Sequence, residues 1–121
     1  MIQKKPTFIQ SLSFAIKGLR IALEERHVRI DFLIALLVIA AGFYFQITVT
    51  EWLICILLFG LVIGLEVMNT AIERFVDMVQ PGWDEKAGKV KDLSAGAVLC
   101  ASVVAAIGGV LIFGKYILAL F

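Results

Sequence analysis

Long apolar segments alternate with short polar ones along this chain. The apolar segments run from Phe32 to Val49, from Trp52 to Leu65 and from Leu93 to Gly114. A helix needs about 20 residues, at ~1.5 Å each, to span a ~30 Å hydrocarbon layer. The first and third segments meet that length directly. The second spans only if its helix continues beyond Leu65.

The stretch EVMNTAIE, at 66–73, follows the second apolar segment without a break. Residues 65–80 contain no Gly or Pro and are good helix formers, so we expect the helix to continue until PGW at 81–83. The pattern therefore predicts three transmembrane helices, at about 30–49, 52–79 and 93–119.

Residues 8–23 have a different pattern, in which apolar residues recur every three or four positions. They are Phe8, Leu12, Ile16, Leu19 and Leu23. This spacing is typical of an amphipathic helix, which we place at about 7–26 on the membrane surface. Phe14 points away from the apolar stripe. It is either an interfacial or interhelical aromatic residue or a surface on which a ligand ring stacks.

Composition agrees with a single integral membrane domain of the all-α class. The 121 residues are 61% hydrophobic and 17% charged, whereas soluble domains are about 45–50% apolar and 25% charged. The net charge of +1 gives no sign of nucleic-acid binding. Cys55 and Cys100 lie in apolar segments without metal-binding spacing. The first residues lack a continuous apolar region, so we expect no secretory signal.

Basic residues are strongly segregated by the three predicted spans. Ten Lys and Arg residues precede the first apolar segment or lie between the second and third, and only Lys115 lies near the C-terminus. The positive-inside rule then places the N-terminus and the 74–92 loop in the cytoplasm and the C-terminus outside. We expect the chain to be integral to the bacterial cytoplasmic membrane.

A polar stripe on the second span provides the candidate chemistry. Its residues fall within roughly 100° of one helix face and are Glu66, Asn69, Thr70, Glu73 and Asp77. Glu66 lies about 21 Å along the helix from Trp52, within the membrane, and Glu73 about 31 Å along, at the boundary with water. The stripe thus leads from lipid depth to the cytosol.

Two interpretations of the stripe remain open on physical grounds. An ionisable group at membrane depth is a functional candidate, and Glu66, partly withdrawn from water, suits a general base. Glu73, with access to water, suits a hard cation such as Mg²⁺ bound together with phosphate oxygens. Alternatively, Asn69 and Thr70 form polar contacts between helices.

Other cytoplasmic charges could complete a phosphate site. Lys89, Lys91 and Asp92 precede the third span, with Asp92 as a plausible helix N-cap. Lysines and helix N-termini attract phosphates, although ordinary topology also explains these residues, Lys89 above all. Glu25 could meet Glu73 at the membrane surface.

Two apparent motifs carry no such function. GVLIFGK at 109–115 has the glycine spacing of a phosphate-binding loop but lacks the following Ser or Thr and ends a span on the outer side. GLVIG at 60–64 faces away from the glutamates, so we interpret it as a site of close helix packing.

Together these features resemble the small prokaryotic diacylglycerol kinase family, which includes undecaprenol kinases. The similar segments are KGLR at 17–20, GFYFQ at 42–46 with the following EW, EVMNTAIERFVD at 66–77 and KVKDLSAGAV at 89–98. The resemblance implies a homotrimeric bundle, with a surface helix and three transmembrane helices per subunit. It also implies γ-phosphate transfer from ATP to a membrane lipid hydroxyl, at composite sites between subunits.

The resemblance also assigns roles by position. Glu66 resembles the family's catalytic base and lies beside Asn69 at the lipid-substrate end of the stripe. Glu25 and Glu73 resemble the carboxylates that hold Mg²⁺ with ATP. The nucleotide-contacting residues it implies are Phe14, Glu25, Glu73, Lys91 and Asp92. Phe14 stands where relatives often have Tyr.

The loop after the second span departs from the family, because PGWDEK replaces the EYHP of many relatives. Whether the lipid is undecaprenol or diacylglycerol also stays open, although FYFQ and EW resemble the undecaprenol kinase branch. The alternative is a non-enzymatic transporter or lipid-binding subunit with Glu66 as an intramembrane proton site. The apolar first span and the third span beyond Ser102 offer it no polar path.

Overall fold

The computed structural model describes residues 4–121, which form four α-helices. They are α1 (Phe8–Ala22), α2 (Arg26–Phe45), α3 (Val49–Val79) and α4 (Glu85–Leu118). The last three are long and apolar enough to cross a membrane. The predicted all-α class with three apolar spanning helices is confirmed.

Local sequence explains where the helices begin. Thr7 and Thr48 each form a capping box with the residue three positions later, Gln10 and Glu51. In such a box both residues satisfy backbone N–H groups that a helix start leaves without partners. The Asp84 side chain accepts from the N–H of Ala87 at 2.9 Å and caps α4.

The Asp84 cap corrects one prediction. Asp92 was expected to cap the third span, but it lies about two turns inside α4. The helix begins where the polar segment EKAGKVK begins, because capping decides the start of a helix and hydropathy decides only which part of it enters lipid.

Helix α3 is the centre of the fold. It continues through the carboxylate stripe for 31 residues and ends just before Pro81, whose ring disfavours helical geometry in the preceding residue. Seven buried residues lie on α3, against two each on α2 and α4. The most extensive packing of α3 is against α4.

A polar cluster joins α3 to α4 at the end opposite the stripe. The buried Glu51 carboxylate accepts a hydrogen bond from the Tyr116 hydroxyl and lies 2.9 Å from the Lys115 ammonium. Tyr116 also stacks on Phe45 at the end of α2, with ring centroids 5.6 Å apart. These contacts hold together the ends of all three long helices that lie opposite the stripe.

The expected close packing at GLVIG is not formed by contacts within residues 4–121. A Cβ atom added at Gly60 or Gly64 would meet nothing within 4 Å. The close approaches involve two other glycines: Gly42 against the Trp52 ring, and Gly108 against Leu58. Small residues at the 60–64 face therefore leave room for a contact that this chain does not itself supply.

Candidate active site

The polar stripe of α3 divides by depth. Glu66, Asn69 and Thr70 are buried, with Glu66 only 6% exposed. Glu73, two turns further on, is half-buried, and the Asp77 side chain is 60% exposed. The side chains thus pass from a buried to a water-accessible environment along one helix face, as the spacing predicts.

Glu66 has an acidic neighbour that the sequence pattern did not single out. The carboxyl group of Asp31, in the second turn of α2, lies close enough to the Glu66 carboxyl to interact with it electrostatically. Two neighbouring carboxylates that are partly shielded from water repel each other when both are charged. Asp31 therefore belongs to the site, and only the packing of α2 on α3 reveals it.

Several buried oxygens at this point have no hydrogen-bond partner within residues 4–121. They are Asp31 Oδ2, Glu66 Oε2, Asn69 Oδ1 and Thr70 Oγ1. Buried polar atoms are normally satisfied, because an unmade hydrogen bond costs about 1–3 kcal/mol. Four such atoms near one another mark a place where a polar ligand group would be stabilised.

An apolar groove leads away from these oxygens. It lies between α2 and the α3–α4 pair and has a volume of about 750 Å³. Its lining includes Asp31, Phe32, Val62, Ser102 and Phe113. Asp31 is the charged residue of this lining, so the groove joins the carboxyl pair to a space that suits hydrocarbon.

Glu73 is oriented by its own helix. The Asn69 amide Nδ2 donates to Glu73 Oε1 at 3.2 Å, one turn along α3. The contact leaves the other Glu73 oxygen free to bind a cation. Asn69 therefore links the buried part of the stripe to its water-accessible part.

Glu25 is held against α3 by Arg74, the residue after Glu73. Arg74 Nη2 donates to Glu25 Oε1 at 3.3 Å and lies 3.6 Å from Glu24 Oε2. Glu25 is the N-cap residue of α2, but its side chain makes no capping hydrogen bond. The structure thus brings Glu25 to the Glu73 turn of α3, through an arginine that the sequence interpretation left without a role.

Lys91 is held against α3 by Asp77. Its ammonium forms an ion pair with the Asp77 carboxylate, one turn beyond Glu73. Asp92 is exposed on α4 and makes no ion pair within residues 4–121. Of this predicted pair, the structure connects Lys91 to the stripe and leaves Asp92 open to the surroundings.

Phe14 remains open to the surroundings. It is 62% exposed on α1, and no aromatic ring in the described part of the chain stacks on it. An uncovered ring fits either of the two predicted roles, an interfacial aromatic residue or a stacking surface for a ligand.

The residues of the candidate site that the sequence interpretation missed are Asp31 and Arg74. Asp31 carried a usable signal, since a carboxylate one residue before an uncharged span is costly unless it has a polar partner. Arg74 carried none, because its partner Glu25 lies 49 positions away in the sequence.

Comparison with known proteins decides the family. Residues 13–113 match the family model described as prokaryotic diacylglycerol kinase. The chain belongs to this family. It is 36% identical to the undecaprenol kinase of Bacillus subtilis (strain 168) over 107 residues, which cover 88% of this chain and 87% of the relative.

Other members of the family are nearly as similar. The diacylglycerol kinase of Escherichia coli (strain K12) is 31% identical over 100 residues, 82% of each chain. That of Helicobacter pylori is 32% identical over 113 residues, 93% of this chain and 85% of the relative. This member of the prokaryotic diacylglycerol kinase family is therefore an enzyme, a kinase of the membrane-embedded lipid kinase class.

Proposed function

We propose that this kinase transfers the γ-phosphate of ATP to the hydroxyl group of a membrane lipid at the cytoplasmic leaflet, with Mg²⁺ bound to the nucleotide. The observation that carries the proposal is the buried Glu66 carboxyl with an unpartnered oxygen, next to Asp31, which lines an apolar groove. Such a place suits an alcohol that arrives on a hydrocarbon chain, and the rest of the stripe leads from it to water.

The groove supports a lipid substrate. Its volume of about 750 Å³ falls within the range of roughly 300–1,000 Å³ common for small-molecule sites. A hydroxyl group placed beside Asp31 and Glu66 would satisfy oxygens that lack partners, while its alkyl chain lay along Phe32 and Phe113. The preference for a lipid hydroxyl follows from this combination of a dry groove and a polar end.

The cytoplasmic end supports a magnesium nucleotide. Glu73 and Glu25 are carboxylates from two different elements that Arg74 brings to one turn of α3. Within residues 4–121 no group of three or more His, Cys, Asp or Glu side chains converges as a metal site. Mg²⁺ is usually bound by one or two carboxylates together with phosphate oxygens, so two carboxylates fit it as a partner of ATP.

In the proposed reaction, Glu66 accepts the proton of the lipid hydroxyl while that oxygen attacks the γ-phosphorus. The bond from the γ-phosphorus to the oxygen that bridges it to the β-phosphate breaks, and ADP leaves. Asp31 provides a second carboxyl group beside Glu66, and the unpartnered Glu66 Oε2 is available to the hydroxyl. Lys91 contributes positive charge beside the transferred phosphoryl group, and Asn69 keeps Glu73 in place. When bound, Mg²⁺ neutralises charge on the phosphate oxygens, which is the main requirement in phosphoryl transfer.

Assembly and orientation are also part of the proposal. We propose a homotrimer with the N-terminus and the 74–92 loop in the cytoplasm, in line with the distribution of basic residues. Of the two lipids, we propose undecaprenol as the first to test. The 36% identity to an undecaprenol kinase exceeds the 31% and 32% identities to the two diacylglycerol kinases described above.

The direct test is a phosphotransfer assay with purified protein, labelled ATP and each lipid in turn. We predict that Glu66→Gln abolishes turnover of the preferred lipid, because the amide cannot accept the hydroxyl proton. Nucleotide binding and assembly should be unchanged, since the amide keeps the shape of the carboxyl group. Measuring turnover beside nucleotide binding separates these effects.

The matched control is Glu85→Gln, which changes an exposed carboxylate in the first turn of α4 and should leave turnover intact. Substantial turnover by the Glu66→Gln protein would remove Glu66 from the role of base. Failure of the wild-type protein to phosphorylate either lipid would contradict the proposed substrate class.

A further inference from the structure

Arg74 is the cation that connects the turn between α1 and α2 to α3. Its guanidinium contacts two consecutive carboxylates of that turn, Glu24 at 3.6 Å and Glu25 at 3.3 Å. It follows Glu73 directly in sequence, so the backbones of the two residues are ~3.8 Å apart at Cα. Arg74 thus attaches the acidic turn to the helix that carries the acidic stripe.

Stability does not explain these ion pairs. The side chains are 48% exposed at Arg74, 35% at Glu25 and 69% at Glu24. Exposed pairs of this kind contribute little to folding, because water screens the charges and both side chains lose freedom. The geometry matters for a different reason: Arg74 attaches the acidic turn to α3 at the residue that follows Glu73.

We infer that Arg74 is a positioning residue, which holds the Glu25 carboxylate beside Glu73 so that the two can bind a divalent cation with the nucleotide. This inference rests on the proposed function, since it takes Glu25 and Glu73 as cation ligands. Arg74 engages one oxygen of Glu25 and leaves the other available. Its planar guanidinium can contact two carboxylates at once, which a lysine ammonium does less well.

The ion pair between Lys91 and Asp77 likewise attaches a predicted nucleotide-site residue to α3. Asp77 fixes Lys91 of α4 to the same helix end. Glu25 and Lys91, the predicted nucleotide-site residues on the elements flanking α3, are thus each attached to α3 by an ion pair. The two attachments differ in chemistry. Arg74 orients Glu25, a proposed ligand of the divalent cation, whereas Asp77 orients the ammonium group of Lys91.

The test is divalent cation binding to the full-length protein in detergent. Mn²⁺ serves as the probe, and its free concentration is followed by electron paramagnetic resonance with a non-hydrolysable ATP analogue present. We expect Arg74→Ala to weaken Mn²⁺ binding by roughly 10–100-fold, as loss of a residue that orients a metal ligand commonly does. The Mn²⁺ affinity of the Arg74→Lys protein should lie between those of the wild type and Arg74→Ala, because lysine keeps the charge but not the planar fork.

The matched control is Lys89→Ala. Lys89 is an exposed cytoplasmic base whose ion pair, 3.6 Å to Glu85, stays within α4. The Lys89→Ala protein should bind Mn²⁺ as the wild type does. In the kinase assay, Arg74→Ala should raise the KM for the magnesium nucleotide and leave the KM for lipid unchanged.

The outcomes separate the two proposals. If the wild type shows no nucleotide-dependent Mn²⁺ binding, the proposed nucleotide site itself fails. If the wild type binds and Arg74→Ala binds equally well, only the positioning role of Arg74 is overturned. The same holds if Arg74→Ala and Lys89→Ala weaken binding by the same factor, because the effect would then be one of general charge.

Discussion

Depth in the membrane separates the residues of the candidate site more clearly than their chemical type does. Glu66 and Glu73 are both glutamates on one face of α3, yet one is buried and the other is half-buried. A buried carboxyl beside Asp31 suits proton transfer from an alcohol. A carboxylate with access to water suits a cation that arrives with its nucleotide. In the proposed mechanism, position along one helix therefore gives the two glutamates different roles.

Phe14 allows a test of its two interpretations. If its ring stacks on the adenine, Phe14→Ala should weaken nucleotide binding by about 1–3 kcal/mol, the usual contribution of base–aromatic stacking. Phe14→Tyr should bind as well as the wild type. Phe14→Leu is the informative control, because leucine stays apolar but has no ring. Measurement of the nucleotide KM in the lipid kinase assay distinguishes the two interpretations of Phe14.

A Phe14→Leu protein with the wild-type nucleotide KM would favour the other interpretation. Phe14 would then be an interfacial or interhelical residue, for which any large apolar side chain serves. Its exposed ring on α1 is compatible with both results.

The sequence predicted the stripe but not all of the site, for a physical reason. Residues on one helix keep a fixed angular relation, so Glu66, Asn69 and Glu73 could be placed on a common face from spacing alone. Asp31 and Arg74 act across helices. Which residue of α2 faces Glu66, and which residue of α3 reaches Glu25, depends on packing that no local pattern encodes.

At the scale of elements, capping residues set where a helix begins, whereas hydropathy sets which part of it can lie in the membrane. These two boundaries need not coincide. Helix α4 begins at Glu85, whereas its uninterrupted apolar segment begins at Leu93. The intervening polar turns bring Lys91 to the C-terminal end of α3, beside Asp77. A polar extension of a spanning helix therefore supplies part of the candidate site.

Gly42 makes the packing of α2 on α3 testable. A Cβ atom there would lie 2.5 Å from the Trp52 ring, which is rigid and also packs on Phe43 with ring centroids 5.0 Å apart. We expect Gly42→Ala to destabilise the fold by about 1–3 kcal/mol, the usual effect of overpacking. Thermal unfolding in detergent would measure the change.

The control for Gly42 is Gly114→Ala, where an added Cβ meets nothing within 4 Å. Alanine has the higher helix propensity, by about 1 kcal/mol, so this variant should be as stable as the wild type or slightly more so. Equal unfolding temperatures for Gly42→Ala and Gly114→Ala would contradict the proposed tight contact with Trp52.

At the scale of the whole molecule, one chain leaves much apolar surface uncovered. On α3 the exposed apolar residues include Leu53, Ile56, Leu57 and Leu61. Gly60 and Gly64 lie on the same helix with open space around them. Lipid can cover the large side chains, but a pair of small residues four positions apart typically allows another helix to approach closely.

The proposed homotrimer gives this face an occupant, a second copy of the chain. We expect Gly60→Leu to reduce the trimer fraction strongly, because the added side chain would separate helices that meet there. Native mass spectrometry of detergent-solubilised protein would report the oligomeric state. Ala40→Leu is the matched control, since it adds apolar bulk at an exposed position on α2. A Gly60→Leu protein that stays fully trimeric would show that this face contacts lipid and that the subunits meet elsewhere.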